Sequence, residues 1–358
     1  MTAPRVLAVN PGSTSTKIAV YEGDAALLET TIPVPGDDLA AFRTAPVLHQ
    51  LEARLEAVRA ALSAAGIDPA GMAAVVGRGG LLRPLASGTY VATDAMLDEL
   101  RAAPRGQHAS NLGAFLARRL AEPSACPAFI VDPVSVDEWE DVARLSGLAG
   151  LDRTCLSHAL NTKAVARRYA REVGKPYAEL RLVVAHMGSG HSVSAHRDGR
   201  MVDATNSREE GAFSTERAGT VPTLRLVERV LADGLTLQEV ERVLFREGGI
   251  HSYLGTGDLR AVERRIEDGD ERARRIFDGM LYQLRKEVAA MAGVLDGRVD
   301  AVLLTGGMAR SDRVTGILVR RLGWIAPVHV FPGEDELRAL AAGAQRVLDG
   351  EERARPYP

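Results

Sequence analysis

One strand–turn–strand unit is written twice in this chain. Residues 6–23 read VLAVNPGSTSTKIAVYEG and residues 182–199 read LVVAHMGSGHSVSAHRDG. They align at one constant offset without a gap, so that Gly12 falls on Gly188, Ser13 on Ser189, Ala19 on Ala195 and Gly23 on Gly199. In each copy an apolar run enters a turn rich in Gly, Ser and Thr, and a second strand-like run leaves it. Such turns present backbone N–H groups and hydroxyls in a concave array that suits phosphate oxygens. Two of them, about half a chain apart, predict a duplicated domain with a polyphosphate held between the halves. The plainer alternative is a pair of ordinary hairpins with glycine turns.

A chain of 358 residues has room for two domains. Its balanced charge, formally −3, leaves no basic footprint and argues against a nucleic-acid partner. The two cysteines, Cys126 and Cys155, lack a metal-like spacing and fit a reducing compartment. The N-terminus shows no basic region followed by a long apolar stretch, and no apolar run approaches the roughly 18 residues of a membrane span. The expectation is a cytoplasmic protein with no membrane partner.

Strands are predicted at 5–10, 16–21 and 26–33, followed by the break PVPGDD. Leu48, Leu51, Leu55, Val58 and Leu62 recur at helical spacing, with Gly66 where a C-cap belongs. A short strand then leads into GRGG, a helix covers 109–121, and PAFIVDP reads as a buried strand ending on an aspartate. The second half repeats the scheme, with a helix at 159–173, the second hairpin, and a third strand near 200–204. Helices at 222–233, 236–246 and 270–296 follow, then the strand AVLLTGG at 301–307 and helices from Ser311 and from Glu334 to Leu348. Alternating strands and helices indicate an α/β fold with mixed sheets. No low-complexity linker separates the halves, so a pair of crossing helices is the expected boundary.

The first turn offers Asn10, Gly12, Ser13, Ser15 and Lys17. The two serines can donate to phosphate, and Asn10 ends a strand, where its amide oxygen can face a metal-bound water. No GxxxxGK[ST] is present, and a strand rather than a helix follows, so this is not a P-loop. The second turn carries His186, Gly188, Ser189, Gly190 and His191, read as a clamp on distal phosphates or as a structural turn with solvated histidines. Gly306, Gly307 and Met308 lie in a strand–turn–helix unit where backbone can approach an adenosine or α-phosphate. Asp132 ends a strand, a place where carboxylates meet ligands in α/β sheets, although an Asx turn is the alternative. His158 opens a helix. Arg78 in VGRGG and Arg217 in STERAG adjoin or lie near glycine, and a guanidinium matches carboxylate or phosphate.

Taken in order, NPGSTSTKIAVY, VVGRGGLL, QHASNLGA, FIVDPVSVDE, SHALNTKAVA, VAHMGSGHSVSAH, STERAG, YLGTGD, LLTGGMA and IAPVHVFPGEDELRALAAGA strongly resemble the butyrate kinases. More distantly the chain is similar to acetate kinase and to the superfamily of acetate and sugar kinases, heat-shock chaperones and actin. The resemblance implies two duplicated ribonuclease-H-like domains with ATP or ADP in the interdomain cleft. The expected domains are 1–160, with a C-terminal helix in 335–358 packing back on it, and 161–334. By the same resemblance Asn10 is linked to Mg²⁺, and Arg78 and Arg217 hold the carboxyl and transferring phosphoryl groups. His158 bonds the phosphoryl in flight, Asp132 is the active-site aspartate, HMGSG is the phosphate loop and TGGMA the adenosine loop. Two departures stand out. Acetate kinases lead into their Gly-Gly with a longer HRVVHGG, and their PTNEEL is PGEDEL here. That puts Asp335 at the magnesium-linked position, with Glu334 and Glu336 as rivals.

The expected activity is reversible transfer from ATP to a short carboxylate, butyrate or isobutyrate, in a homo-oligomer. Alternatives are an acetate or propionate kinase, a sugar or polyol kinase using Asp132 as base, and a non-catalytic ATPase switch.

Overall fold

Strand order carries the duplication into three dimensions. The computed structural model describes residues 3–34 and 45–358; the PVPGDD break beyond Val34 lies outside them. Among the described residues one sheet holds β1 (Arg5–Pro11), β2 (Ser15–Glu22), β3 (Ala25–Pro33), β4 (Ala74–Arg78), β5 (Thr89–Val91) and β6 (Ala128–Val131), in the order β3-β2-β1-β4-β6-β5. The other holds β7 (Leu182–Met187), β8 (His191–Arg197), β9 (Arg200–Ala204), β10 (Ala301–Gly306) and β11 (Val328–Pro332), in the order β11-β10-β7-β8-β9. Read from β3 and from β9 the two orders coincide, and β5 is an extra antiparallel edge. In both sheets the hairpin strands pair antiparallel, and the later strands join the first strand of the hairpin in parallel. The fold is thus α/β with two mixed sheets flanked by helices.

The chain divides into two compact units, 1–137 with 335–358, and 138–334. The sequence reading put the first crossing later, at 160; residues 138–158 instead pack with the second unit and form no α-helix. The helix Glu336–Leu348 lies on β1 and β4, where a Cβ on Gly343 would stand 2.5 Å from Val131. Helix Ala159–Glu172 lies on β7 and β10.

Period-two alternation decides what each central strand shows to each face. In β7, Val183, Ala185 and Met187 face the core built with the helices Glu271–Val294 and Asp312–Leu322. Leu182 and Val184 face the core of helix Ala159–Glu172, so His186 points to that helix as well. In β1, Leu7 and Val9 face the helices Leu51–Ala64 and Leu112–Ala121. The predicted helix positions Leu55, Val58 and Leu62 are all fully buried there. No helix among the described residues is long and apolar enough to cross a membrane.

The strand β4 meets helix Leu112–Ala121 backbone to backbone. A Cβ on Gly77 would stand 2.0 Å from the Gly113 carbonyl oxygen, and one on Gly113 would stand 2.0 Å from that of Arg78. Neither backbone can retreat without breaking the ladder of β4 with β1 and β6. Gly77→Ala is therefore expected to destabilise the protein by about 3 kcal/mol or more. Gly71→Ala, where a Cβ meets nothing within 4 Å, should cost little. Denaturant melts of the two variants check the contrast.

Candidate active site

The first turn is built around a buried arginine. Arg54 lies on the apolar face of helix Leu51–Ala64 and is 4% exposed. Its guanidinium donates to the carbonyls of Gly12 (2.9 Å) and Ser15 (3.1 Å), to Thr16 Oγ1 (2.8 Å) and to Gln50 Oε1. The carbonyls of the turn thus point inward to a cation, while Ser13 and Lys17 stay exposed on the other side. Burial lowers the Arg54 pKa from its ordinary value, though the side chain keeps four acceptors. The sequence reading missed Arg54. Its signal was a cation at a core position, between Leu51 and Leu55.

At the carboxyl ends of β1 and β4 three predicted positions meet. Asn10, buried, donates from Nδ2 to Glu336 Oε2 at 2.5 Å, and Arg78 Nη1 donates to the same oxygen at 2.8 Å. Arg78 Nη1 also stands 3.5 Å from Asn10 Oδ1. Arg78 is held out by its glycines. A Cβ on Gly79 would strike Pro133 at 2.4 Å, and one on Gly80 would meet Asn111 at 2.5 Å. Of the three acidic residues in PGEDEL, Glu336 is the one at Asn10. Asp335 stands at the N-cap position with a left-handed φ of 39° and no side-chain capping bond, and its carboxylate lies 3.3 Å from Arg338, half exposed. Glu334 belongs to the second unit.

Asp132 is buried with a φ of 38°. Its Oδ1 accepts from Ser87 Oγ (2.6 Å) and the Gly88 N–H (2.8 Å), bonds that pin the 87–88 loop.

In the second unit the histidines are not solvated. His186 is 1% exposed, and its ring stacks on that of His158 at 3.8 Å and 7°. His158 Nδ1 lies 2.9 Å from Ser192 Oγ, and His186 Nδ1 lies 2.8 Å from Asn161 Oδ1. Gly188 sits above His186 Nε2, and Ser189 is exposed at the tip of the turn. Ser214 Oγ donates to the Ser189 carbonyl and accepts from the Arg217 N–H, tying the STER segment to the turn. The Arg217 guanidinium lies on Gly190, where a Cβ would be 2.5 Å from its Cζ. Nη1 donates to Ser207 O (2.7 Å) and Oγ (3.0 Å). Burial, then the charge of Arg208, lowers the Arg217 pKa.

Gly306 takes a φ of 91°, with its would-be Cβ 2.3 Å from the Met187 carbonyl. It exchanges backbone hydrogen bonds of 3.0 Å with Gly333. Gly307 is exposed with open space beside it, and Met308 is buried in the following turn. The sequence-predicted residues therefore fall into two groups: Asn10, Arg78 and Asp132 with the first turn in one unit, and His158, His186, Arg217 and both glycine loops in the other.

His191 faces the opposite side from His186, with Val193 and Ala195. It is 4% exposed, and neither ring nitrogen has a hydrogen-bond partner. Burial first, then His186 and Arg217, pushes its pKa down from 6.5 to about 3. The unfolded chain binds this proton near pH 6.5 and the folded protein only near pH 3. Stability thus rises with pH across that window, because the unfolded state carries more protons there. His191→Leu is expected to raise stability at pH 7 by about 1–3 kcal/mol, by removing two unpartnered nitrogens. It should also flatten the acid limb between these two values in denaturation measured against pH.

Residues 153–325 match the model of the Acetokinase family. A Listeria monocytogenes protein named "Probable butyrate kinase" is 46% identical over 98% of this chain and 99% of its own length. "Probable butyrate kinase 2" of Caldanaerobacter subterraneus is 46% identical over 99% of each. Among solved structures, Porphyromonas gingivalis acetate kinase superposes with a TM-score of 0.80 at 18% identity, over 97% of this chain and 100% of the other. A Francisella tularensis propionate kinase gives 0.71 at 17%, over 94% and 98%. With near-complete coverage at this identity, the chain belongs to the acetokinase family.

Proposed function

We propose that this ATP-dependent carboxylate kinase takes butyrate, or a branched acid of similar size such as isobutyrate, and converts it reversibly to the acyl phosphate and ADP. The near full-length similarity to proteins named as butyrate kinases carries this choice over acetate or propionate. A carboxylate nucleophile needs no base. Its oxygen forms the new bond to the γ-phosphorus as the bond to the ADP oxygen breaks, and no proton moves. Catalysis then rests on positioning and on countering charge. In this reading Arg217, presented over Gly190, and His158, braced by Ser192, face the transferring phosphoryl group, and Arg78 holds the acceptor carboxylate. The turns at Gly12, Ser13, Ser15 and Lys17 and at His186, Gly188, Ser189 and Gly190 receive phosphates. Gly306, Gly307 and Met308 receive the adenosine end. Asp132, committed to Ser87 and Gly88, shapes the loop near Arg78 and is poorly suited to the base of a sugar kinase.

Mg²⁺ fits this chemistry. Among the described residues no cluster of three or more His, Cys, Asp or Glu could hold a metal by itself. Magnesium at phosphates asks less of a protein: one or two carboxylates, with waters and phosphate oxygens completing the shell. We assign the protein's share to Asn10 and Glu336, in place of Asp335, because the Glu336 carboxylate already lies on Asn10. Bound there, the ion would offset phosphate charge.

The two helices Thr223–Asp233 and Leu237–Phe245 bury none of their residues. Leu224, Leu231 and Leu237 are 70%, 76% and 77% exposed, beside an apolar cavity of about 370 Å³ lined by Leu226, Val230, Leu235 and Tyr253. We infer that this face meets the same face of a second copy. Leucines this exposed on two neighbouring helices form the kind of apolar patch that marks a contact surface. Sedimentation equilibrium should give a dimer or higher assembly that Leu231→Asp/Leu237→Asp dissociates. A wild-type monomer at micromolar concentration would sink this idea.

The substrate assignment is tested by hydroxylamine trapping of acyl phosphate across C2–C6 acids with ATP and Mg²⁺. The highest kcat/KM is expected on butyrate or isobutyrate; a maximum at acetate or propionate would move the acceptor, and activity on hexoses alone would overturn the class. Arg217→Ala should lower kcat by on the order of 10³-fold while nucleotide affinity changes little.

A further inference from the structure

In the aligned repeats Asn10 coincides with His186. Each ends the first strand of its hairpin, and each meets the first turn of the helix packed on its face of the sheet: Glu336 for Asn10, Asn161 for His186. Asn161 is 2% exposed and spends both ends of its amide. One end lies 2.8 Å from the backbone carbonyl of Glu334. A carbonyl only accepts, so that end is the NH₂ group, and the end facing His186 is the oxygen. An amide oxygen also only accepts. His186 Nδ1, 2.8 Å away, must therefore carry a proton.

The other nitrogen, Nε2, lies beneath the phosphate turn. A Cβ on Gly188 would stand 3.4 Å from it and 3.7 Å from Glu334 Oε1, and the two atoms are 3.5 Å apart. One buried amide thus holds both groups that flank Gly188, the ring directly and Glu334 through its carbonyl. The stack on His158 prevents the ring from turning over freely.

We propose that Asn161 is a positioning residue of this kinase, holding the Nδ1–H of His186 with the ring against His158 so that Nε2 is the nitrogen at the Gly188 turn, free to take up a proton and then donate it in a hydrogen bond to a phosphate oxygen. Nothing in the motif HMGSGH says which ring nitrogen faces the ligand. The assignment comes from a chain of donors and acceptors that starts at a backbone carbonyl 173 positions away from Asn161. The catalytic consequence rests on reading this turn as phosphate-binding; the tautomer does not.

The test is ¹⁵N–¹H long-range correlation spectroscopy of ¹⁵N-histidine-labelled protein without ligands, in the pH range where the ring is neutral, with His186→Gln to assign the signal. The expected pattern for His186 is a protonated Nδ1 and an unprotonated Nε2. Asn161→Asp keeps an acceptor at Nδ1 and should keep the pattern. Asn161→Ala removes it, and the two nitrogen shifts should converge as the tautomers mix. The same variant should lose roughly tenfold or more in kcat with a smaller change in KM for the acid. An Nε2–H tautomer in the wild type overturns the proposal, as does an Asn161→Ala protein whose His186 shifts and kcat are unchanged. If Asn161→Ala does not fold, the wild-type and Asn161→Asp spectra still decide. Because the tautomer is read without substrate, failure of butyrate as acceptor leaves this result standing.

Discussion

Glycines let backbone or side chain close directly on the main chain at the carboxyl ends of the central strands, and the arrangement there depends on that. Gly77 meets Gly113, Gly79 meets Pro133, Gly80 meets Asn111, Gly306 meets Met187 and Gly190 lies under Arg217. In each case a Cβ would come within 2.5 Å of its neighbour, closer than any side chain tolerates. These contacts let a strand end abruptly, with its last residues at the rim rather than under a layer of side chains. Arg78 and the Gly306 loop sit at the strand ends because glycine lets their surroundings close up behind them.

The second requirement is that polar groups stay aimed once they are out of water. Arg54 holds the carbonyls of the first turn, Asp132 holds the loop at Gly88, and Asn161 holds His186. Phosphoryl transfer to a carboxylate offers the protein little covalent chemistry, so groups fixed before substrate arrives are the form its contribution can take. The repeated geometry, a polar residue at the end of the first hairpin strand bonded to the first turn of a helix, shows one solution used twice with different chemistry. In the first unit it pairs an amide with a carboxylate, suited to a cation. In the second it pairs an amide with an imidazole, leaving Nε2 as the nitrogen that can gain or lose a proton.

Much of this was legible in the chain. The hairpins, the helix of Leu55, Val58 and Leu62, and the glycine loops follow from local periodicity and turn chemistry, which need no knowledge of distant residues. The helices Asp94–Ala102 and Leu259–Glu267 and the short strand β5 were not read. β5 spans three residues and exists because β6 offers it an edge. Arg54 resembled any surface arginine of an Arg-rich chain until the turn that covers it was in place.

What the sequence determined by itself is the duplicated α/β plan and the inventory of reactive residue types, because both are written in short-range patterns and in their recurrence. What the tertiary structure decided is which of those residues face one another. Asp335 and Glu336 are neighbours in sequence, yet the left-handed backbone of Asp335 turns its carboxylate to Arg338 while the first helical position delivers Glu336 to Asn10. His186 and His191 stand one turn apart in the same motif, yet strand alternation sends them to opposite faces, one hydrogen-bonded and one without a partner. Alternation sets the face, but the partner found there can be remote, as Glu336 is 326 positions from Asn10, and no local pattern encodes that meeting.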